Sequence, residues 1–139
     1  MILLDTNVLS ELMKASPNAD VIAWLNQQSE AMLFISSVTQ AEIELGIALL
    51  PDGKRKEALA DEATITFDEF TGRCLVFDTL AASQYGAIAA QRRKIGRPIA
   101  VEDAMIAAIA LVHGLQLATR NTKDFEHIPE LIFINPWDS

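Results

Sequence analysis

Val101-Glu102-Asp103-Ala104-Met105-Ile106-Ala107-Ala108-Ile109-Ala110-Leu111-Val112-His113-Gly114 runs straight into Leu115-Gln116-Leu117-Ala118-Thr119-Arg120-Asn121. The first part reads as a helix over Val101–His113, apolar on nearly every side and therefore buried. Gly114 can close it in a left-handed conformation. The second part reads as a strand, Leu117–Ala118, ending at about Thr119 in a polar turn. A buried helix that feeds directly into a short apolar strand is a unit of a parallel sheet covered on both faces.

The same alternation runs outward through the chain. Ile2–Leu4, Leu33–Ile35, Leu75–Phe77 and Ile132–Ile134 are the other predicted strands. Asp20–Gln28, Val38–Leu50, Lys54–Phe70 and Ala81–Lys94 carry helical patterns, the last capped by Asp78-Thr79. Asp52-Gly53 and Gly96-Arg97-Pro98 read as turns. No repeat, low-complexity tract or linker divides the pattern, so the expectation is one α/β domain over residues 1–139.

Composition narrows the class. With 139 residues, half of them hydrophobic, the chain can bury one sizeable core, which excludes a disordered polar chain. Its longest apolar run, Ala104–Val112, is half the roughly 20 residues of a membrane span. Met1-Ile2-Leu3-Leu4-Asp5 lacks a basic region, so no signal peptide is expected, and a soluble cytosolic domain with no membrane partner is. Cys74 stands alone, which rules out an internal disulfide or a cysteine-based zinc site. Eleven Lys and Arg against 19 Asp and Glu give a net charge of −8. That charge argues against a general nucleic-acid coat, though a local basic patch and a metal could still bring RNA to it.

In a doubly covered parallel sheet, ligands bind beyond the carboxyl ends of the strands near a topological switch point. Acids stand at these places. Asp5, in Asp5-Thr6-Asn7, follows the first strand directly, where it is either a helix cap or a site residue. Glu42 shares a helical face with Val38, Leu45 and Gly46; it is either a helix-surface glutamate or an inward carboxylate that needs a partner or a metal. Gly46 in mid-helix suggests a close backbone approach. Asp103 stands in the first turn of the buried helix, where the dipole favours an acid, but Glu102 beside it already meets that need. Asn121 and Asp124 lie three apart in the last polar turn, next to Thr119. If such carboxylates converge, two charges about 4 Å apart repel by roughly 4 kcal/mol at an effective dielectric near 20. They must then share protons or hold a cation. All-oxygen ligands favour Mg²⁺ or Mn²⁺ over Zn²⁺.

Four motifs, Leu3-Leu4-Asp5-Thr6-Asn7, Ala41-Glu42-Ile43-Glu44-Leu45-Gly46, Glu102-Asp103-Ala104-Met105-Ile106-Ala107-Ala108 and Leu117-Ala118-Thr119-Arg120-Asn121-Thr122-Lys123-Asp124-Phe125, stand in this order from residue 3 to residue 125. Together they resemble the PIN-domain ribonucleases, in particular the VapC-type toxins of bacterial toxin–antitoxin pairs and the FitB-like proteins. The resemblance implies a three-layer α/β/α sandwich with a mostly parallel central sheet. It also implies Mg²⁺- or Mn²⁺-dependent endonucleolytic cleavage of structured RNA such as tRNA or ribosomal RNA. The family's acidic site carries over onto Asp5, Glu42 and Asp103. Many relatives have Asp where Asn121 stands, so Asp124 on the same turn is the candidate fourth acid, with Thr6, Asn7, Thr119 and Asn121 in support. Asp5, Asp103 and Asp124 are then metal ligands, and Glu42 is a ligand or a base. A homodimer bound by a small cognate antitoxin is implied too, with DNA reached only through that antitoxin.

Arg92, Arg93, Lys94 and Arg97 form a basic run that suits an RNA backbone or, equally, a helix C-terminus. Arg120 is a further candidate phosphate contact. Lys54-Arg55-Lys56 reads as a solvated helix start, and His113 and His127 lack ligand spacing. Trp24 and Trp137 read as packing residues, and Met13, Met32 and Met105 as core or interface filler. Asp78 after an apolar strand invites comparison with phosphoacceptor receiver domains, but no lysine ends the later strand. A haloacid-dehalogenase-type phosphatase would want Asp where Asn7 stands. A PIN fold that binds RNA without cutting it is the remaining alternative.

Overall fold

Ile2–Leu4 forms the central strand, β1, with all three side chains buried. The structure, a computed structural model, describes residues 1–138. The other strands are β2 (Leu33–Ser36), β3 (Cys74–Leu75), β4 (Gln116–Ala118) and β5 (Phe133–Ile134), and they form a five-stranded sheet in the order β3-β2-β1-β4-β5. Every pairing is parallel. The helices are α1 (Thr6–Leu12), α2 (Ala19–Asn26), α3 (Ser37–Ala48), α4 (Lys54–Glu69), α5 (Thr79–Lys94) and α6 (Val101–His113). The result is the expected three-layer α/β/α sandwich.

Side-chain alternation along β1 sorts the core into two halves. Leu3 joins Leu117, Phe125 and the apolar residues of α5 and α6 on one face. Ile2 and Leu4 join Val8, Leu9, Trp24, Ile43, Ala63 and Phe70 on the other. α6 is buried along Ala104 and Ile106–Ala110, and Gly114 closes it at φ 64°. Small side chains along that helix bring it close to α5 and the sheet. The chain steps outward from β1 to β2 and β3, then returns to add β4 and β5 on the opposite side. The switch point therefore lies between β1 and β4, where the Asp5 amide donates to the Ala118 carbonyl at 2.9 Å.

Several boundaries differ from expectation. The strand expected at Leu75–Phe77 is Cys74–Leu75, because its sole neighbour β2 ends at Ser36, which pairs with Leu75 and turns into α3. Val76 is left 61% exposed. The last strand likewise begins at Phe133, with Ile132 62% exposed. Asp78 is the cap of α5, accepting from the Ala81 amide at 2.9 Å. A close approach at Gly46 is absent: a Cβ there would meet nothing within 4 Å, and Leu45 beside it is exposed. Met32 is exposed rather than filling the core, while Met13 and Met105 pack against it. Among the described residues no helix is long and apolar enough to cross a membrane.

Candidate active site

Asp5 ends β1 and caps α1, as the capping reading of this residue expects. Its Oδ1 accepts from the Thr6 amide at 2.8 Å. Its Oδ2 accepts from the Thr119 hydroxyl at 2.7 Å and from the Asn7 side-chain amide at 3.2 Å. Thr119 is at the tip of β4, so these bonds fasten the two strands of the switch point to each other. Asn7 reinforces the joint: its Nδ2 also donates to Thr119 Oγ1, and its Oδ1 accepts from the Arg120 amide at 3.1 Å. The Asn121 amide donates to Thr119 Oγ1 as well. Burial raises the Asp5 pKa despite these three donors, and the charge of Asp124 raises it further.

Glu42 is half-buried on α3 and reached through hydroxyls. Thr6 Oγ1 donates to Glu42 Oε1 at 2.7 Å and lies 3.0 Å from Thr39 Oγ1. Since the Thr6 proton is committed to the carboxylate, Thr39 must donate to Thr6. Ser36 in turn donates to Thr39 at 3.5 Å, and Ser36 Oγ caps α3 by accepting from the Thr39 amide at 3.1 Å. Ser36 and Thr39 are fully buried. The chain Ser36–Thr39–Thr6–Glu42 thus runs in one direction and ends on an acceptor. Neither Ser36 nor Thr39 is marked by the sequence as part of a site. Their only signal is a serine at a helix start with a threonine three residues on. Burial is the largest influence raising the Glu42 pKa, opposed by the Thr6 bond and increased by the charges of Asp5 and Glu102.

Asp103 is the most perturbed of these acids. Its carboxyl is pushed up to about 7, first by burial, then by the charges of Asp5, Asp124, Glu42 and Glu102. It is less buried than Asp5 but lacks that residue's donors, and the hydrogen bonds account for the difference. α6 starts at Ala100 with no side-chain cap, so Glu102 and Asp103 are the negative groups at its N-terminus. Asp124 sits on a short 3-10 turn, Thr122–Phe125, anchored by buried Phe125. Its side chain is exposed, and its charge reaches both Asp5 and Asp103. Asn121 precedes that turn and makes no side-chain cap bond.

Asp5, Glu42, Asp103 and Asp124 are therefore close enough to act on one another electrostatically, and every candidate donor is oxygen. Among the described residues no three His, Cys, Asp or Glu side chains are grouped so that they could hold a metal ion between them. A hard ion such as Mg²⁺ takes one or two carboxylates and keeps several waters, so this open set fits it better than it fits an ion that needs a closed shell. The mutual repulsion registered at Asp103 is what such a charge would relieve.

The basic candidates divide. Arg93, Lys94 and Arg97 are exposed. Arg92 is 5% exposed and turned inward, so it is not an RNA contact; its guanidinium is consumed by backbone carbonyls. Arg120 is exposed at the edge of the site, with its guanidinium 5.1 Å from the centre of the Trp137 ring. His113 and His127 are exposed and belong to none of these groups.

Other proteins resemble this chain in sequence and in fold. The PIN domain profile matches residues 2–131. A VapC ribonuclease of Sinorhizobium fredii, Y4jK, is 41% identical over 139 residues, covering 99% of each chain. The toxin FitB of Neisseria gonorrhoeae is 41% identical over 138 residues, again 99% of each. The solved structure of FitAB bound to an IR36 DNA fragment aligns with a TM-score of 0.90 at 40% identity, covering 99% of this chain and 96% of that one.

Proposed function

This chain belongs to the PIN-domain family, and on that premise we propose that it is a metal-dependent endoribonuclease, the toxin of a toxin–antitoxin pair. The observation that carries the reading is the conflict of charge at the switch point. Asp103 is held up to about 7 by burial and by four neighbouring acids, an arrangement that is unfavourable in itself and favourable around a cation. Asp5 and Asp103 would hold Mg²⁺ or Mn²⁺, with Asp124 and Glu42 available to complete the set. An ion so held polarises a phosphate ester and lowers the pKa of water bound to it.

The side chains do the rest. Thr119, Asn7 and the Thr6 amide keep the Asp5 carboxylate in one orientation. Thr6 fixes one oxygen of Glu42, which serves either as a further ligand or as the base that takes a proton from the attacking water. In hydrolysis the water oxygen joins phosphorus, the bond to the leaving ribose oxygen breaks, and that oxygen ends protonated. Exposed Arg93, Lys94, Arg97 and Arg120 are among the cations available to an RNA backbone. Structured RNA, tRNA or ribosomal RNA, is the substrate class that the family resemblance supports.

The assembly we propose is a homodimer bound by a cognate antitoxin, with DNA contacted through that partner. The likeness to FitAB in its DNA-bound form supports this part of the reading. The test is incubation of the purified chain with total RNA in Mg²⁺ or Mn²⁺, with EDTA and Asp5→Asn controls, followed by mapping of new RNA ends. Discrete metal-dependent cuts that vanish in the variant are expected. Cutting that persists in EDTA or in Asp5→Asn would overturn the assignment.

A further inference from the structure

Arg92 is buried yet pairs with no carboxylate; among the described residues the ion pairs are Lys14–Glu11 and Lys56–Asp52. A buried cation without a counter-ion persists only where its N–H groups are satisfied. Here Nε donates to the Arg97 carbonyl at 2.6 Å, and Nη1 donates to the carbonyls of Asp124 at 2.9 Å and Glu126 at 3.1 Å. The Arg97 amide returns a bond to the Arg92 carbonyl at 2.9 Å. One planar group thus ties the end of α5 to the turn that bears Asp124.

We propose that Arg92 is a positioning residue for the divalent-cation site, acting through the backbone of Asp124; the inference rests on the metal-dependent reading above. The 3-10 turn Thr122–Phe125 is only four residues long, and the carbonyls at the end of such a turn lack partners within it. Arg92 supplies donors to two of them, on either side of buried Phe125. The Asp124 carboxylate accepts no side-chain hydrogen bond among the described residues, so the backbone of the turn is what sets its place at the site. Lysine cannot replace the arrangement, because its point charge lacks the fixed fork that spans three carbonyls. The fold contains its own control. Arg73 clamps the carbonyls of Glu30, Leu33 and Glu69 in the same manner, at the amino ends of β2 and β3, far from the acids.

Titration calorimetry with Mn²⁺ on the full chain tests the proposal. Arg92→Lys should raise the dissociation constant 10-fold or more, the usual effect of losing an outer support of a metal site. In an Asp124→Asn background the same change should add little, and Arg73→Lys should lower the melting temperature without moving the constant. Amides of residues 121–126 should exchange faster in Arg92→Lys. A folded Arg92→Lys protein with unaltered affinity, or one whose effect survives undiminished in Asp124→Asn, overturns the proposal. If wild-type protein binds no Mn²⁺, the metal reading itself falls and the proposal with it. Where Arg92→Lys does not fold, Arg92→Gln repeats the test; loss of fold in both makes Arg92 a stability residue and overturns the assignment.

Discussion

Thr6 is a small residue with two consequences. Its amide fastens Asp5 and its hydroxyl fastens Glu42, so one position orients an acid at a strand end and another on a helix. Thr6→Val keeps the shape and the amide but leaves Glu42 without its donor and Thr39 without its acceptor. The expected result is a 10- to 100-fold lower kcat with little change in KM, and a stability loss of about 1–2 kcal/mol. Steady-state cleavage and thermal melts check both. Asp103→Asn should abolish cleavage while leaving the fold intact, and should stabilise the metal-free protein at pH 8. The sign follows from protons bound. Between the ordinary Asp range and about 7 the native state holds a proton on Asp103 that the unfolded chain has released. Stability of the metal-free wild type therefore falls as pH rises through that window. With solvent screening the effect is roughly 1–2 kcal/mol, and the advantage of Asp103→Asn should disappear near pH 4. Melting curves from pH 4 to 8 in EDTA measure it. Asp5 and Asp103 stand out in the sequence because one follows a strand and the other opens a buried helix, and Glu42 because it shares a helical face with Val38, Leu45 and Gly46. Arg92 is not, because a basic run at a helix end does not reveal which member turns inward. Ser36 and Thr39 stay invisible because hydroxyl relays have no spacing signature.

Among the elements, α6 shows most clearly what pattern can and cannot deliver. Its bounds, burial and closing glycine follow from an apolar run ended by His113-Gly114, and the structure reproduces Val101–His113. Its start lacks a capping side chain at Ala100, where the backbone is extended and exposed. Ala100→Ser should supply the missing acceptor and stabilise the protein by about 0.5–1 kcal/mol, read as a rise in melting temperature. A fall instead would mean that the acids of the first turn depend on an uncapped end. The edge strands are less legible than the centre. β3 cannot be bounded from Leu75-Val76-Phe77, because its length is set by where β2 stops pairing, and that is information about another segment.

At the scale of the molecule, the parallel sheet and its two covered faces follow from strand–helix alternation, and the five-strand order makes the switch point coincide with the acids. Net charge −8 opposes RNA, so binding must be local. Replacing Arg93, Lys94 and Arg97 by alanine should weaken RNA binding across sequences. The slope of log affinity against log salt should shrink by about one for each phosphate that is no longer neutralised. Filter binding of Asp5→Asn protein in EDTA and graded KCl measures this. An unchanged slope would move the RNA track elsewhere, with Arg120 the next candidate. Mn²⁺ at 100 times its dissociation constant should add about 2.7 kcal/mol of stability. At one fixed Mn²⁺ concentration the gain should be larger at pH 8 than at pH 5, because protons compete for Asp103 at the lower pH.

The bond from Thr119 to Asp5 joins residues 114 positions apart, across the middle of the sheet rather than at its margin. Synthesis at about 5–20 residues per second delivers Asp5 many seconds before its partner. Until β4 emerges and lies against β1, the acids belong to separate, unfinished pieces, and one edge of the central strand is bare. For most of elongation the site is therefore unassembled. The acids are brought together only as the last fifth of the chain is added.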